Sequence, residues 1–326
     1  MLRYIIKRLI WMIPVILGVV VIVFTISYFT PGDPAAAILG PNAEKASYEA
    51  LRAKLGLDRP FLVQLGTYIW NIVSRFDLGK AYITGTPISE ELIYRLPTTI
   101  KLGVLSIFVT VALGTPLGIL SATKQYSIAD YSVTTIALIV NAIPSFVLAL
   151  FALMLFSVKL RWLPIAGVAT WDAWILPIAC NSLGYVALSA RMTRTSMLEV
   201  IRQDYIRTAR AKGLKQNVVI RRHALPNALI PIVTVVGTQL SFVLAGAIIV
   251  ETIFSIPGMG MYILSGISGR DYPVINGTVL VLSVCVCVMN LLVDIAYAFI
   301  DPRIKALYMS PRKAKAHKSP KTAEVA

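Results

Sequence analysis

The residues best suited to binding a partner form a short cationic segment, Asp204 to Gly213, between two long apolar stretches. Asp204 can cap the start of a helix by accepting a backbone N–H, and Gly213 can adopt the left-handed conformation that ends one. Arg210 and Lys212 fall in the last turn, where the helix dipole favours cations. A helix this short is marginal by itself in water. The pattern therefore predicts a helix that rests on another surface.

The side chains of this segment are of two kinds. Tyr205 and Ile206 can serve as apolar anchors, whereas Thr208, Ala209 and Ala211 are small enough to allow close approach. Both features predict contact with a soluble partner. A solvated connector with ordinary helix caps explains the same pattern equally well, so the segment by itself leaves both interpretations open.

The composition is that of a membrane protein. Of 326 residues, 57% are hydrophobic and 14% are charged, against about 45–50% and about 25% in a soluble domain. The three cysteines, Cys180, Cys285 and Cys287, lie in apolar runs without metal-ligand spacing, which predicts buried thiols and no metal site.

Six apolar segments are long enough to cross a hydrocarbon core, which takes about 20 helical residues. They cover residues 9–30, 98–122, 133–158, 175–193, 228–250 and 274–300. Prolines predict kinks or short breaks at positions 14, 116, 144, 177 and 231. We therefore expect an all-α membrane protein with six transmembrane helices.

Lys and Arg residues predict the orientation of these spans. They are concentrated in residues 1–8, 194–227 and 301–326, whereas the short opposite loops hold only Lys159, Arg161 and Arg270. Basic loops stay on the cytoplasmic side, which predicts cytoplasmic termini and a multi-pass protein of the cell membrane. Because topology explains the charge of +15, nothing calls for a nucleic-acid partner, and membrane lipid is the expected surrounding.

The chain is expected to divide into four parts: an N-terminal anchor helix (1–30), an outer loop with short helices (31–97), a five-helix core (98–300) that contains the cytoplasmic loop 194–227, and a disordered cytoplasmic tail (301–326). In the outer loop, the pattern predicts a helix from Glu44 to Leu55 that stops at Gly56, and an amphipathic helix from Phe61 to Phe76. Whether the second helix packs on the spans or lies at the membrane interface is left open.

Polar residues inside spans are candidates for function. Three of them, Asn141, Ser145 and Asn181, are candidate pathway-lining residues, and interhelical hydrogen bonds are the other role open to such amides and hydroxyls. Asp294 is expected near the membrane interface or paired with Arg303. The spacing of Gly114 and Gly118 favours a close helix crossing.

The cytoplasmic loop 194–227 resembles the one through which bacterial ABC-importer permeases couple to their ATPases, and we call it the coupling loop. Their pattern is Glu-Ala-Ala, three residues, Gly, nine residues, Ile, one residue, Leu-Pro. Four positions match here at that spacing: Ala209, Gly213, Leu225 and Pro226. Three differ: Arg207 and Thr208 replace the Glu and the first Ala, and His223 replaces the Ile.

Further motifs resemble the peptide and nickel branch of these permeases over nearly the whole chain. In order, they are Pro31-Gly32-Asp33-Pro34, Leu55-Gly56-Leu57-Asp58-Arg59-Pro60, Asp77-Leu78-Gly79, Arg95-Leu96-Pro97, Arg191-Met192-Thr193-Arg194-Thr195-Ser196-Met197, the run from Glu251 to Gly260, Arg270-Asp271-Tyr272-Pro273 and Asp301-Pro302-Arg303.

This resemblance implies a type I importer permease fold, a second homologous permease, two cytoplasmic ATPase subunits and an outer solute-binding protein. It implies that ATP and Mg²⁺ bind in the ATPases and that this chain binds no cofactor. The residues implied in ATPase coupling are Asp204, Tyr205, Ile206, Arg207, Thr208, Ala209, Arg210, Lys212, Gly213, Leu225 and Pro226. Those implied in an outer gate are Glu251, Phe254, Pro257, Gly258 and Met259, although a Pro-Gly turn at a helix end explains that stretch equally well.

The sequence carries no G-x-x-x-x-G-K-[ST] phosphate loop and no H-E-x-x-H or G-x-S-x-G motif, so no catalytic residues are predicted. We expect a permease subunit of an importer for di- or oligopeptides in a bacterial inner membrane. Glutathione and nickel chelates are alternative solutes. A self-contained secondary transporter or channel is the alternative of another class, and it would require an intramembrane ion site or inverted repeats.

Overall fold

The computed structural model describes residues 2–40 and 43–300, and this part of the chain is helical apart from loops and one isolated bridge between Lys80 and Pro87. The predicted tail 301–326, which includes Arg303, lies outside the described residues. An all-α fold is therefore confirmed for the described residues.

Four helices make up the N-terminal part: α1 (Leu2–Phe29), α2 (Pro34–Leu39), α3 (Lys45–Leu55) and α4 (Phe61–Arg75). The α3 helix ends at Gly56, whose φ of +70° is the left-handed conformation expected of a C-terminal glycine. Both predicted helices of the outer loop are confirmed.

The α4 helix packs on the C-terminal end of α1. The rings of Tyr68 and Phe24 stack with centroids 5.5 Å apart, and Phe61 lies 5.1 Å from Tyr28. This aromatic contact decides what the sequence left open, because it attaches one face of α4 to the first span.

The second span is longer than predicted. It runs from α5 (Ile88–Val109) through a π-helical turn (Thr110–Gly114) into α6 (Thr115–Thr123). Pro116 has no N–H to donate, and the wider π turn directly before it accommodates this loss without ending the helix. The segment therefore begins ten residues before the predicted start at residue 98.

The third predicted span is not straight. Its two halves, α7 (Ile128–Ala142) and α8 (Ser145–Ala152, continued as a π helix over Leu153–Lys159), meet at an angle of 99°. Ile143 has extended backbone angles of −95° and 128°, because a residue before proline avoids the helical region. The kink or short break expected at Pro144, within the apolar segment 133–158, is confirmed.

The remaining helices are α9 (Ile175–Ile201), α10 (Asp204–Ala211), α11 (Gln216–Val218, followed by a π turn over Val219–Ala224), α12 (Leu225–Ile253), α13 (Met259–Gly269) and α14 (Tyr272–Ile300). The α9 helix lies at the centre and packs against α5, α6, α7, α8 and α12. The most apolar stretch of α9 is 61% buried within the chain, against 6% for α1 and 11% for α14. The α1 and α14 helices therefore form a pair at the periphery of the bundle.

The glycines of the second span fit closely against α9. A Cβ at Gly118 would lie 2.5 Å from the Ala190 carbonyl oxygen, and one at Gly114 would lie 2.8 Å from the Ser189 Cβ. Real Cβ atoms do not approach so closely, so the predicted close helix crossing is confirmed.

In the described part of the chain, four helices are long and apolar enough to cross a bilayer, and the number rises to six if each of two bent pairs forms one span. The second bent pair is divided at residue 230, before Pro231, with an angle of 48°.

Candidate functional site

The α10 helix is fixed to its own chain by its apolar side chains. Ile206 is fully buried and Ala209 nearly so, in a cluster with Met197, Val219 and Ala224. Their contacts come from the end of α9 and the start of the next long helical segment. Ile206 and Ala209 thus face this chain rather than a partner, which differs from the contact expected of them.

The side chains of α10 and its C-cap that surround this buried stripe are exposed and mainly cationic. Five of them, Tyr205, Arg207, Thr208, Arg210 and Lys212, form the surface that we call the docking face. Arg207 makes only a loose contact with Asp204, at 3.7 Å, and both side chains are largely exposed. Such a pair contributes little, so the guanidinium of Arg207 is available to a partner.

The caps of α10 are only partly as predicted. Gln203 occupies the N-cap with extended backbone, and its side chain makes no capping hydrogen bond. Asp204 is the first helical residue, and its side chain is 97% exposed. The expected capping by Asp204 is wrong, because the chain already turns at Gln203 after α9. Its carboxylate still lies where the helix dipole favours a negative charge. Gly213 has φ +77°, and its N–H donates to the Arg210 carbonyl at 2.9 Å. The left-handed glycine is confirmed.

Leu225 and Pro226 lie where the coupling loop enters α12. Leu225 is half-buried against the cluster that holds Ile206, and Pro226 is exposed in the first turn of the helix. The π turn Val219–Ala224 stands directly before this proline, as Thr110–Gly114 does before Pro116. Their predicted role in ATPase coupling stays a prediction.

At the other end of α12, Glu251 is a fully buried carboxylate. Its Oε1 accepts a hydrogen bond from Thr99 Oγ1 at 2.5 Å, and its Oε2 accepts from the N–H groups of Gly260 at 2.7 Å and Met261 at 3.3 Å. Thr99 Oγ1 in turn accepts from the Met259 N–H at 2.9 Å. Glu251 and Thr99 together satisfy the first free amides of α13, which a helix cannot satisfy by itself.

This arrangement, which we call the glutamate clasp (Thr99, Glu251 and the amides of residues 259–261), explains the glycines beside it. A Cβ at Gly258 would collide with the Glu251 carboxylate, and one at Gly260 with the Ile248 Cα. The turn is therefore built around the acid, and the clasp joins α5, α12 and α13.

The other predicted gate residues belong to the same packed unit. Phe254 and Met259 are buried, and Pro257 is half-buried between them in sequence. The Arg95 guanidinium of α5 lies over the ring of Tyr262 of α13, 4.8 Å from its centroid. Burial raises the pKa of the Tyr262 hydroxyl. The predicted gate residues lie together, and their gating role stays a prediction.

The three predicted pathway residues line one cavity of about 230 Å³ beside the 99° bend. Asn141 and Ser145 are exposed on either side of the bend, whereas Asn181 is buried and donates to Ser106 Oγ at 3.0 Å. Asn181 thus makes an interhelical hydrogen bond, the other role that the sequence left open for these residues. Contact with solute stays a prediction for all three.

Two other polar residues of the spans have partners on neighbouring helices. Ser241 Oγ donates to Asn290 Oδ1 at 2.9 Å, an interhelical bond of the expected kind. Asp294 pairs with Arg8 of α1 at 2.9 Å. The expected Arg303 lies outside the described residues, and Arg8 is the observed partner because α1 and α14 lie side by side.

Comparison with known proteins identifies the family. Residues 114–306 match the binding-protein-dependent transport system inner membrane component, and residues 1–103 match the N-terminal region of such membrane components. The chain belongs to this family.

Relatives from several bacteria are similar over almost their whole length. A dipeptide transport system permease of Alkalihalophilus pseudofirmus is 42% identical, with 94% of this chain and 100% of that protein covered. A putative peptide transport system permease of Brucella abortus is 40% identical, with coverage of 92% and 98%. A glutathione transport system permease of Pectobacterium atrosepticum is 41% identical, with coverage of 94% and 99%.

The fold is also similar to that of a solved importer. A chain of an inward-facing structure of the MetNI methionine ABC transporter has a TM-score of 0.56 and 22% identity, with 64% of this chain and 96% of that chain covered. This likeness supports an ABC-importer permease fold.

The sequence did not reveal one charged cluster close to the coupling loop. Asp130, at the start of α7, is buried and forms a two-pronged ion pair with Arg194 of α9 at 2.7 and 2.9 Å. Ser121 Oγ and the Tyr126 N–H also donate to this carboxylate. The one available signal was an acid in the short loop 123–132, which has one basic residue, Lys124.

Proposed function

We propose that this chain is the transmembrane permease subunit of an ATP-driven importer for di- or oligopeptides in a bacterial inner membrane. It crosses the membrane six times with both termini in the cytoplasm and forms the pathway with a second, homologous permease. An outer binding protein delivers the solute, and two cytoplasmic ATPase subunits hydrolyse ATP. Nucleotide and Mg²⁺ bind in those subunits.

The observation that carries the proposal is the two-sided construction of α10. Its inner side is locked into the chain by Ile206 and Ala209, while the docking face is left open. An isolated helix of eight residues does not hold its shape in water. The buried side chains supply that rigidity and make α10 a stiff element through which an attached ATPase can move α9 and α12.

The docking face is tested by reversing one charge. We expect Arg210→Glu to abolish co-purification of the ATPase subunits and ATP-dependent uptake into proteoliposomes, because a cation exposed to the partner becomes an anion. Lys215→Glu is the matched control, since it makes the same charge change in the same loop, outside α10, at another exposed residue. It should leave both measurements close to those of the unchanged protein.

Ile206→Ala separates docking from folding. Truncating a buried isoleucine costs about 2–5 kcal/mol, so this variant should lower the thermal stability of the permease. Arg210→Glu should lower that stability much less, by roughly 0.3–1 kcal/mol, because it only removes a favourable charge from the last turn of α10. If Arg210→Glu and Lys215→Glu impair association equally, the docking face is not the ATPase contact.

Peptides are the proposed solute because the relatives at about 40% identity are named for peptide, dipeptide and glutathione transport. Competition against a labelled dipeptide in proteoliposomes containing the full complex distinguishes peptides from glutathione and from nickel chelates. Uptake that persists without any ATPase subunit would instead establish a secondary transporter or channel.

A further inference from the structure

A second and larger cavity lies at the outer end of the bundle, away from the pathway residues. Its volume is about 550 Å³, and it is enclosed by α1, the loop and helices that follow it, and the first turns of α14. Cavities of roughly 300–1,000 Å³ hold small organic ligands. We call it the outer cavity.

The single carboxylate among the described residues lining the outer cavity is already satisfied. Asp33 accepts hydrogen bonds from the Ala35 N–H at 2.7 Å, from Tyr48 Oη at 2.7 Å and from Arg52 Nη1 at 2.6 Å. The hydrogen bond with Tyr48 and the charge of Asp33 raise the pKa of Arg52. The cavity therefore offers no free acid to a cationic group such as the ammonium of a peptide.

Two cations of the same cavity are not neutralised in this way. Arg59 and Lys80 line it and are exposed, and neither has a carboxylate within 4.0 Å in the described part of the chain. With Asp33 and Arg52 compensating each other, the rim carries an excess of positive charge, which favours an anionic ligand.

The deeper wall is aromatic and neutral. Ser27 Oγ bonds to Asn276 Oδ1 at 3.2 Å, and Phe24 stacks on Tyr68. The Tyr68 hydroxyl is buried without a partner among the described atoms, and burial raises the pKa of the neighbouring Tyr82 to about 12. Both phenols are therefore neutral, and Tyr68 has a free donor for an uncharged ligand oxygen.

The surroundings of the cavity indicate where its ligand comes from. Both α1 and α14 contribute residues to its wall, and their apolar stretches are left largely uncovered by the chain. The adjacent α4 exposes Leu62, Trp70 and Val73. Since α4 packs on the last two turns of α1, these side chains lie at the level where aromatic residues meet the edge of the bilayer.

We propose that the outer cavity binds an anionic phospholipid of the outer leaflet, with the phosphate on Arg59 and Lys80 and the glycerol ester region against Tyr68. An anionic head, neutral polar oxygens and apolar tails match the rim, the wall and the uncovered helices in that order. The proposal requires a membrane-spanning chain and does not depend on which solute is imported.

The test compares lipid retained by the full-length protein. The protein is equilibrated in phosphatidylcholine vesicles containing a minor fraction of phosphatidylglycerol, extracted in mild detergent and analysed by native mass spectrometry. Phosphatidylglycerol should be retained preferentially, and Arg59→Ala with Lys80→Ala should reduce its retention roughly thirtyfold. Each basic residue near a membrane surface contributes about 1 kcal/mol to attraction of anionic lipid, and about 2 kcal/mol for the two corresponds to that factor. Lys54→Ala with Arg75→Ala is the control, because it removes two exposed cations of the outer loop that do not line the cavity.

A steric variant separates binding in the cavity from general attraction to charge. Thr67→Trp keeps both cations and fills the space from the exposed side of α4, so it should also reduce retention. Equal retention by all variants overturns the proposal. Inorganic phosphate that displaces phosphatidylglycerol at equal concentration shows a site for the free anion instead of lipid. A short peptide that binds wild type and not Thr67→Trp, while lipid retention is unaffected, makes the cavity a solute site and also overturns the proposal.

Discussion

Replacing Thr99 by valine tests whether the glutamate clasp holds α13 in place. Valine has nearly the shape of threonine, so packing at this buried position is preserved while the hydroxyl is removed. Two hydrogen bonds disappear, the one donated to Glu251 at 2.5 Å and the one accepted from the Met259 N–H at 2.9 Å. The change therefore isolates the polar part of the clasp.

The expected cost follows from what is left unpaired. A buried group that loses its partner costs about 1–3 kcal/mol, and more when it is charged. The variant strands one amide and deprives one carboxylate oxygen of its donor, so we expect a loss of about 2–5 kcal/mol. The two amides that donate to the other oxygen of Glu251 remain. The loss of stability is therefore smaller than it would be for a buried carboxylate left without any partner.

Hydrogen–deuterium exchange measures this effect where it should occur. Amides in the first turn of α13 (Met259–Gly269) should exchange faster in Thr99→Val, together with a lower melting temperature of the permease. Thr99→Ser is the control, since it keeps the hydroxyl and loses one methyl group, and it should stay close to the unchanged protein. Unaltered exchange at residues 259–261 in the valine variant, or equal loss of stability in both variants, refutes the clasp as the element that positions α13.

Two further predictions concern the end of the bundle that carries the coupling loop. Gly213→Ala should destabilise the end of α10 by about 1 kcal/mol, because φ is +77° there. Gly213→Asn should destabilise it by less, because asparagine tolerates the left-handed region. Nothing lies within 4 Å of a Cβ at this position, so a large loss of stability in thermal unfolding contradicts the argument. Asp130→Asn should cost about 1–3 kcal/mol, because the Arg194 guanidinium, which is 26% exposed, loses its counter-ion. The double change with Arg194→Met should recover part of this loss. Thermal unfolding of the three variants gives the coupling, and purely additive effects show that the pair does not interact.

The docking face shows how far the pattern of the sequence extends. The position and length of α10 and its terminal glycine follow from residues 204–213 alone, because caps and helix ends depend on neighbours in the chain. The orientation of the helix does not follow from them. Ile206 was expected to anchor a partner and is instead buried against Met197 and Val219, since the long helices on either side of the loop bring an apolar surface beneath it.

The partners of the ionisable residues also depend on contacts between distant segments. Glu251 was recognised from its motif, yet its partner Thr99 lies 152 positions earlier and carries no local signal. Asp294 was expected near the membrane interface or paired with Arg303, and it pairs with Arg8. A buried charge takes whichever partner packing brings within reach, and distance along the sequence does not predict that.

The sequence by itself determined the membrane class, the helical composition, most helix positions and the family, because hydropathy, proline and glycine positions and motif spacing all act locally or in fixed order. Only the tertiary structure decided which face of α10 is open, that the third span bends by 99°, that Glu251 caps α13, and that residues from α1, α3, α4 and α14 enclose the outer cavity. These features depend on contacts between segments far apart in the chain. Their geometry is set by how whole helices pack, and no single segment encodes it.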